Sequence, residues 1–186
     1  MKTTIGPDGK YEFAEPQPQQ QQVGNQLLRT GEDLIECLRT NPKRIAEAMS
    51  RLHRFGGQVP GCTVLDHSLR VYYDTLGQSP RTRLWALLHD VHEVLTGEVV
   101  RTHKGLELRR FQTCVDYLLL AEFCPDITEA EKRTVRDADD ATNRREYERW
   151  QTGGTWQDAD NVRLWLEAVI DELTEAIMED DDTGTD

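Results

Sequence analysis

Long apolar runs are missing from this sequence, and cysteine is scarce. No stretch of its 186 residues approaches the roughly 20 consecutive apolar residues needed to cross a bilayer, and the N-terminus lacks the apolar core of a signal peptide. We therefore expect a cytoplasmic protein with no membrane partner. Thiols stay reduced in that compartment. Since the cysteines form no C-x-x-C pair, we expect them to be buried and assign them no chemistry; they are Cys37, Cys62, Cys114 and Cys124.

Positive charge is also in short supply. The chain has 22 Lys and Arg against 34 Asp and Glu, which gives a net charge of -12. Affinity for a phosphate backbone depends on clustered cations, so we expect no stable binding of nucleic acid. The segment 51–110 differs from the rest, because it holds nine basic residues and only six acidic ones. This local excess suits a small phosphorylated substrate.

Composition and periodicity indicate one helical domain with polar ends. Residues 1–26 include a Pro- and Gln-rich run and lack apolar periodicity, so we predict a disordered tail there. Residues 179–186 should form an acidic tail, which leaves 27–178 for the folded domain. No alternating pattern typical of strands is present between the tails. The predicted class is therefore all-α, a compact bundle of six or seven helices.

Helix-start and helix-stop signals divide this domain. Asn41-Pro42 and Ser79-Pro80 each put a capping residue before a proline at the first helical position. Thr128 with Glu131 three residues later has the spacing of a capping box. The predicted helices cover 42–52, 63–77, 79–97, 106–123, 128–150 and 158–178.

The most informative segment is 87–98, which reads Leu-Leu-His-Asp-Val-His-Glu-Val-Leu-Thr-Gly-Glu. At 100° per residue, Glu93 lies about 40° and Asp90 about 100° from His89 around the predicted helix. Metal-type ligands inside an apolar helix are costly unless they bind something. One helix face therefore offers an imidazole, a carboxylate and a candidate acid or base.

Further candidate ligands lie on two other predicted helices. His67 follows an apolar-periodic run, and a later helix carries Asp137, Asp139 and Asp140. Two histidine nitrogens and two aspartate oxygens suit borderline divalent ions such as Mn²⁺, Co²⁺, Fe²⁺ or Zn²⁺. Spacing from the histidines leaves open which of the three aspartates takes part.

This order of ligands, H…HD…D in an all-helical chain, resembles the HD-domain metal-dependent phosphohydrolase superfamily. Within it, the chain is similar to the bacterial deoxynucleotide 5′-nucleotidases and to phage dATP triphosphohydrolases of the DatZ type. The resemblance covers roughly residues 45 to 150. It rests, in order, on the segments 51–53, 86–90 and 93–98, on Lys104 and on the segment 135–146.

The resemblance implies a site with one divalent cation, which could be Mn, Co, Fe, Zn or Mg. His67, His89, Asp90 and Asp139 would hold it; Asp139 is favoured over its neighbours by the family's spacing to Glu146, seven residues further on. An HD-domain helical bundle is the fold expected with this ligand set.

The same resemblance implies roles for four further residues. Glu93 would manage protons, and Glu98 would act on the nucleophile or leaving-group side, although the family usually has Asp in the place of Glu98. Arg51 and Lys104 would bind substrate phosphate, since the transferred group carries its charge on peripheral oxygens. Arg54 is the alternative to Arg51.

The implied activity is hydrolysis of a deoxynucleotide phosphate, by a dNTP triphosphohydrolase or a dNMP 5′-nucleotidase that acts as a homo-oligomer on the nucleotide pool. Two alternatives stay open. One is a nucleotide-binding regulator with an HD fold and no turnover. The other is an HD phosphodiesterase, which would need more histidines for a second metal. His53, His92 and His103 do not follow such a pattern, so we interpret them as surface or supporting residues.

Overall fold

The computed structural model describes residues 3–5, 11–13, 27–59, 61–154, 156 and 160–182, with side chains as far as residue 176. The all-α class is confirmed. The described helices are α1 (Gly31–Thr40), α2 (Pro42–Met49), α3 (Val64–Asp74), α4 (Pro80–Leu88), α5 (Glu93–Thr96), α6 (Leu106–Phe123), α7 (Glu129–Gln151) and α8 (Asn161–Asp182).

Two short strands precede the helices. Strand β1 (Thr3–Ile5) pairs antiparallel with β2 (Tyr11–Phe13). Both lie in the segment for which we predict a disordered tail, most of which is outside the described residues, so that prediction stays a prediction. At the other end, α8 continues through Asp182, and the last four residues of the predicted acidic tail are not described.

The helix boundaries differ from the predicted ones at two informative places. The helix predicted over 79–97 is two helices, because α4 ends at Leu88 and the short α5 begins only at Glu93. Helix α1 was not predicted; its start is capped by Thr30, whose side chain accepts from the Asp33 amide. The Thr128–Glu131 capping box at the start of α7 is confirmed.

The core forms where α3, α4 and α8 pack together, with α7 against α3 and α4 on the side that carries the candidate ligands. Trp165 of α8 is completely buried, and its Nε1 donates to the Leu87 carbonyl at 3.2 Å. Since α3, α4 and α7 contact one another, polar residues on their facing sides meet in one place.

The fold bears on two predictions, that no segment spans a membrane and that the cysteines are buried. None of the described helices combines the length and the apolar character that spanning a membrane requires. Three of the cysteines are buried as predicted, whereas the prediction was wrong for Cys114, which is exposed on α6. Cys114 lies on the solvent side of that helix, one position before the buried Val115.

Candidate metal centre and pocket

The candidate ligands come from three packed elements. His67 lies in α3 and is fully buried. His89 and Asp90 lie in the turn that follows α4, not inside one long helix as the sequence predicts. Asp139 lies in α7. His89 keeps helical backbone angles in this turn, and the Val91 amide donates to the Leu88 carbonyl at 3.0 Å, the i to i+3 bond of a tighter helical turn.

The side chains of these four residues converge. His67 Nε2 lies 2.9 Å from Asp139 Oδ1 and 3.7 Å from Asp90 Oδ2. His89 Nε2 lies 3.4 Å from Asp90 Oδ2. One ligand atom from each of His67, His89 and Asp139 lies within 4.8 Å of the other two, so these groups could hold a metal ion.

The structure separates the three candidate aspartates. Asp139 is half-buried beside His67, and Asn143 Nδ2 also donates to its Oδ1 at 2.6 Å. Asp137 is exposed. Asp140 is exposed as well and pairs with Arg101 at 3.0 Å. Only Asp139 of the three is therefore brought to the histidines.

The orientation of His89 leaves one ring nitrogen for a ligand. Its Nδ1 lies 2.9 Å from the Ala86 carbonyl oxygen, which can only accept, so Nδ1 carries the proton. Its Nε2 is buried and has no hydrogen-bond partner among the described residues. A buried polar atom without a partner is costly, and a cation beside Asp90 and Asp139 would remove that cost.

The cluster strongly favours positive charge. Burial alone would lower the pKa of His89, but the Asp90 and Asp139 carboxylates outweigh it and raise that pKa to about 9. Burial likewise opposes ionisation of Asp90, yet His89, His67 and Arg54 hold the pKa of its carboxyl well below its usual range. Two ionised carboxylates facing two imidazoles form a donor set that fits a divalent cation.

A cavity of about 280 Å³ is lined by two of these ligands, Asp90 and Asp139. Its wall includes Glu93, Glu98 and Lys104, three of the residues to which the resemblance gives a role. Arg54 and Arg101 add two guanidinium groups, the first buried and the second exposed at the mouth. The lining thus carries three cations beside the candidate metal ligands.

Glu93 is the most deeply buried carboxylate of this pocket, at 3% exposed. Its Oε1 lies 3.1 Å from Lys104 Nζ, while its Oε2 has no hydrogen-bond partner among the described residues. Burial and the nearby Asp90 charge outweigh Lys104 and raise the pKa of Glu93 to about 7. A carboxyl group poised near neutrality is suited to taking up and releasing protons.

The two candidate arginines lie in different surroundings. The Arg51 side chain is 74% exposed and pairs with Glu47 on its own helical turn, and it does not line the cavity. Arg54 is 8% exposed and reaches into the cluster, where it contacts Asp90 at 3.4 Å. The structure thus brings Arg54 to the pocket and leaves Arg51 outside it.

The turn after Arg54 is held in an unusual conformation. Phe55 has a φ of +57°, which is uncommon for a bulky residue, and Gly56 follows at +62°. Glu98 accepts a hydrogen bond from the Gly56 amide at 3.1 Å, and the Phe55 ring stacks on Trp150 with centroids 6.4 Å apart. These contacts fix a strained turn at the edge of the pocket, as often happens at functional sites.

The remaining histidines are not among the ligands of the first cluster. His53 and His103 are exposed. His92 is buried, and its Nδ1 lies 2.7 Å from Asp116 Oδ1. Together with Asp90 and Glu93 it makes a second group that could hold a metal ion, although the Lys104 ammonium already occupies one side of Glu93.

The sequence alone assigns no function to two residues that the structure places at the site. Asn143 and Glu146 both contact metal-ligand candidates, Asp139 and His67 respectively. They lie four and seven residues after Asp139, which is the spacing of one helix face. That periodicity was a signal available in the sequence.

Comparison of the chain with models of known protein families gave no match, and comparison with curated proteins gave none either. Membership of the HD superfamily therefore stays a prediction from the motifs.

Proposed function

We propose that this protein is a metal-dependent phosphohydrolase that acts on a deoxynucleotide phosphate. The observation that carries the proposal is the convergence of His67, His89, Asp90 and Asp139, whose two aspartates also line a pocket with three cations. A non-catalytic fold would have little reason to bring two largely buried imidazoles, two carboxylates and three further cations together at one pocket.

We assign the metal site to His67, His89, Asp90 and Asp139, with one divalent cation of the Mn, Co, Fe, Zn or Mg group. When bound, such an ion would lower the pKa of water and polarise a phosphoryl oxygen. The distances among the four side chains and the mixed nitrogen and oxygen donors support this assignment.

The residues around the cluster supply what phosphate chemistry needs besides the metal. Arg54 and Lys104 offset phosphate charge, and Arg101 extends this positive wall to the mouth of the pocket. We keep Arg54 rather than Arg51 in this role, because only Arg54 lines the cavity. Glu93, with a pKa of about 7, takes a proton from the attacking water or gives one to the leaving oxygen.

The substrate could be a dNTP, with release of triphosphate, or a dNMP, with release of phosphate. The three cations of the pocket lining, Arg54, Lys104 and Arg101, favour a substrate with several phosphates. Phe55 adds an aromatic face to the same wall, which suits a sugar or a base.

The test is product analysis with purified protein, a panel of dNTPs and dNMPs, and Mn²⁺, Co²⁺ or Mg²⁺, with products separated by anion exchange. Triphosphate from dNTPs identifies a triphosphohydrolase, and phosphate from dNMPs alone identifies a 5′-nucleotidase. An Asp90→Ala variant should lose both metal and activity but keep its helical circular dichroism. Metal binding by the wild type without turnover of any substrate would overturn the proposal and favour a regulator.

A further inference from the structure

Glu146 is a carboxylate at the centre of the fold that the proposed chemistry does not use. It lies in α7, is 1% exposed, and both of its oxygens lie 3.2 Å from His67 Nδ1. His67 has its other nitrogen, Nε2, among the candidate metal ligands. Glu146 thus contacts one ring nitrogen of His67, and the other ring nitrogen faces the metal site. Glu146 is therefore not itself a metal ligand in this arrangement.

Two arginines hold this carboxylate. Arg54 Nε lies 3.1 Å from Oε2, and Arg70 Nη1 donates to Oε1 at 2.8 Å. A carboxylate group that pairs with two guanidinium groups accepts hydrogen bonds, so the His67 nitrogen that lies 3.2 Å from both of its oxygens carries a proton.

The outer arginine is itself supported from the surface. The Arg70 guanidinium lies over the Trp156 ring, 4.5 Å from its centroid. Arg70 is one-third exposed, whereas Arg54 is buried. The carboxylate is therefore held by one arginine that also belongs to the pocket and by one that does not, so the two contributions can be separated by mutation.

We propose that Glu146 is a positioning residue for the metal centre: it keeps the proton of His67 on Nδ1 and thereby presents the Nε2 lone pair to the cation. Arg70 holds Glu146 in place for this task. This proposal rests on one part of the proposed function, the metal site. It concerns metal affinity and does not depend on the identity of the substrate. Loss of such an outer partner weakens metal binding by about 10- to 100-fold.

The test compares metal affinities by competition with a chromogenic chelator, using Zn²⁺ and Co²⁺. We expect Glu146→Gln to weaken both affinities by about 10- to 100-fold, Glu146→Asp to recover part of the loss, and Arg70→Gln to cause a smaller loss than Glu146→Gln. The matched control is Glu172→Gln. Glu172 is an equally buried carboxylate, 3% exposed, which pairs with Arg83 and accepts from Tyr72, away from the site.

The control separates positioning from stability. Glu172→Gln should lower the free energy of unfolding and leave metal affinity unchanged. If Glu146→Gln binds Zn²⁺ as tightly as the wild type, or if Glu172→Gln weakens binding equally, the proposal is overturned.

A second measurement does not depend on a variant that folds. In zinc-loaded wild-type protein labelled with ¹⁵N-histidine, we expect a directly bonded proton on His67 Nδ1 and none on Nε2. The reverse tautomer, or failure of the wild type to bind Zn²⁺ at all, would overturn the proposal. Protein that binds zinc, shows this tautomer and hydrolyses no nucleotide would overturn the proposed function alone.

Discussion

The Lys104 ammonium group lies 3.1 Å from Glu93 Oε1, and both side chains are largely buried at the wall of the pocket. Lysine lowers the pKa of this carboxyl, yet burial and Asp90 keep it near 7. Replacement of Glu93 by Gln keeps the shape of the side chain but removes the group that takes up and releases the proton. We expect Glu93→Gln to lower turnover by about 10²- to 10⁴-fold, measured as kcat for the substrate that product analysis identifies.

Metal content distinguishes this effect from damage to the site. Glu93 is not among the four assigned ligands, so the Gln variant should bind Zn²⁺ with wild-type stoichiometry. Glu98→Gln is the comparison, because Glu98 lines the same pocket and also contacts the Gly56 amide. A Glu93→Gln enzyme with wild-type kcat would show that protons pass through another group.

The second prediction contrasts Arg54 and Arg51. Arg54→Met removes a buried cation from between Asp90 and Glu146, and uncompensated buried charges cost about 3–5 kcal/mol. We therefore expect a large fall in the free energy of unfolding by urea and loss of hydrolysis. Arg51→Met breaks only an exposed pair with Glu47 and should change stability by less than about 0.5 kcal/mol.

The kinetics of the two variants test the choice between these arginines. Arg51→Met should retain wild-type kcat/KM. A strong loss of kcat/KM in Arg51→Met, with its stability unchanged, would return the phosphate-binding role to Arg51.

Much of this architecture follows from local signals in the sequence. The proline at the first helical position predicts the start of α4, and the capping box of Thr128 predicts the start of α7; both starts are confirmed. The ligand candidates on three predicted helices indicated one shared site, and the structure brings His67 and Asp139 within 2.9 Å. Motif order was informative here because the ligands lie on, or directly after, helices α3, α4 and α7, which pack together.

The departures come from tertiary contacts that no local pattern records. Apolar periodicity continues from 84 to 95, so the sequence predicts one helix through His89, whereas α4 ends at Leu88 and tighter turns with i to i+3 hydrogen bonds lead to α5. Arg51 and Arg54 are both basic residues near the end of a helix. Arg54 lines the pocket and Arg51 does not, a difference that residue type and spacing alone do not reveal.

The third prediction concerns the aspartates of α7. Asp139→Asn removes an assigned ligand, so we expect it to weaken Zn²⁺ binding by more than the roughly 10- to 100-fold that loss of an outer partner costs. Asp140→Asn breaks an exposed pair with Arg101, and Asp137→Asn changes an exposed side chain. Both should bind Zn²⁺ as the wild type does. Equal losses in Asp139→Asn and Asp140→Asn would mean that the two carboxylates share the ligand role.

The fourth prediction is a pH dependence of stability that lies outside the site. Burial alone raises the pKa of Glu131, but hydrogen bonds from Ser79 and Thr128 outweigh it and lower that pKa from 4.5 to about 2. A carboxyl group with a depressed pKa stabilises the fold above its unfolded value. The contribution of Glu131 should therefore be complete above about pH 4.5 and disappear as the pH falls towards 2.

Glu131→Gln tests this because it retains the capping shape and removes the charge. We expect it to be less stable than the wild type at pH 7 by about 0.3–1 kcal/mol, the usual value of a charge at a helix N-terminus. The difference in urea unfolding should shrink at pH 3.5. Glu148→Gln, at an exposed position on the same helix, is the control for loss of one charge outside the cap. A gap between wild type and Glu131→Gln that stays constant from pH 7 to pH 3.5 would mean that the carboxylate acts through shape and not through charge.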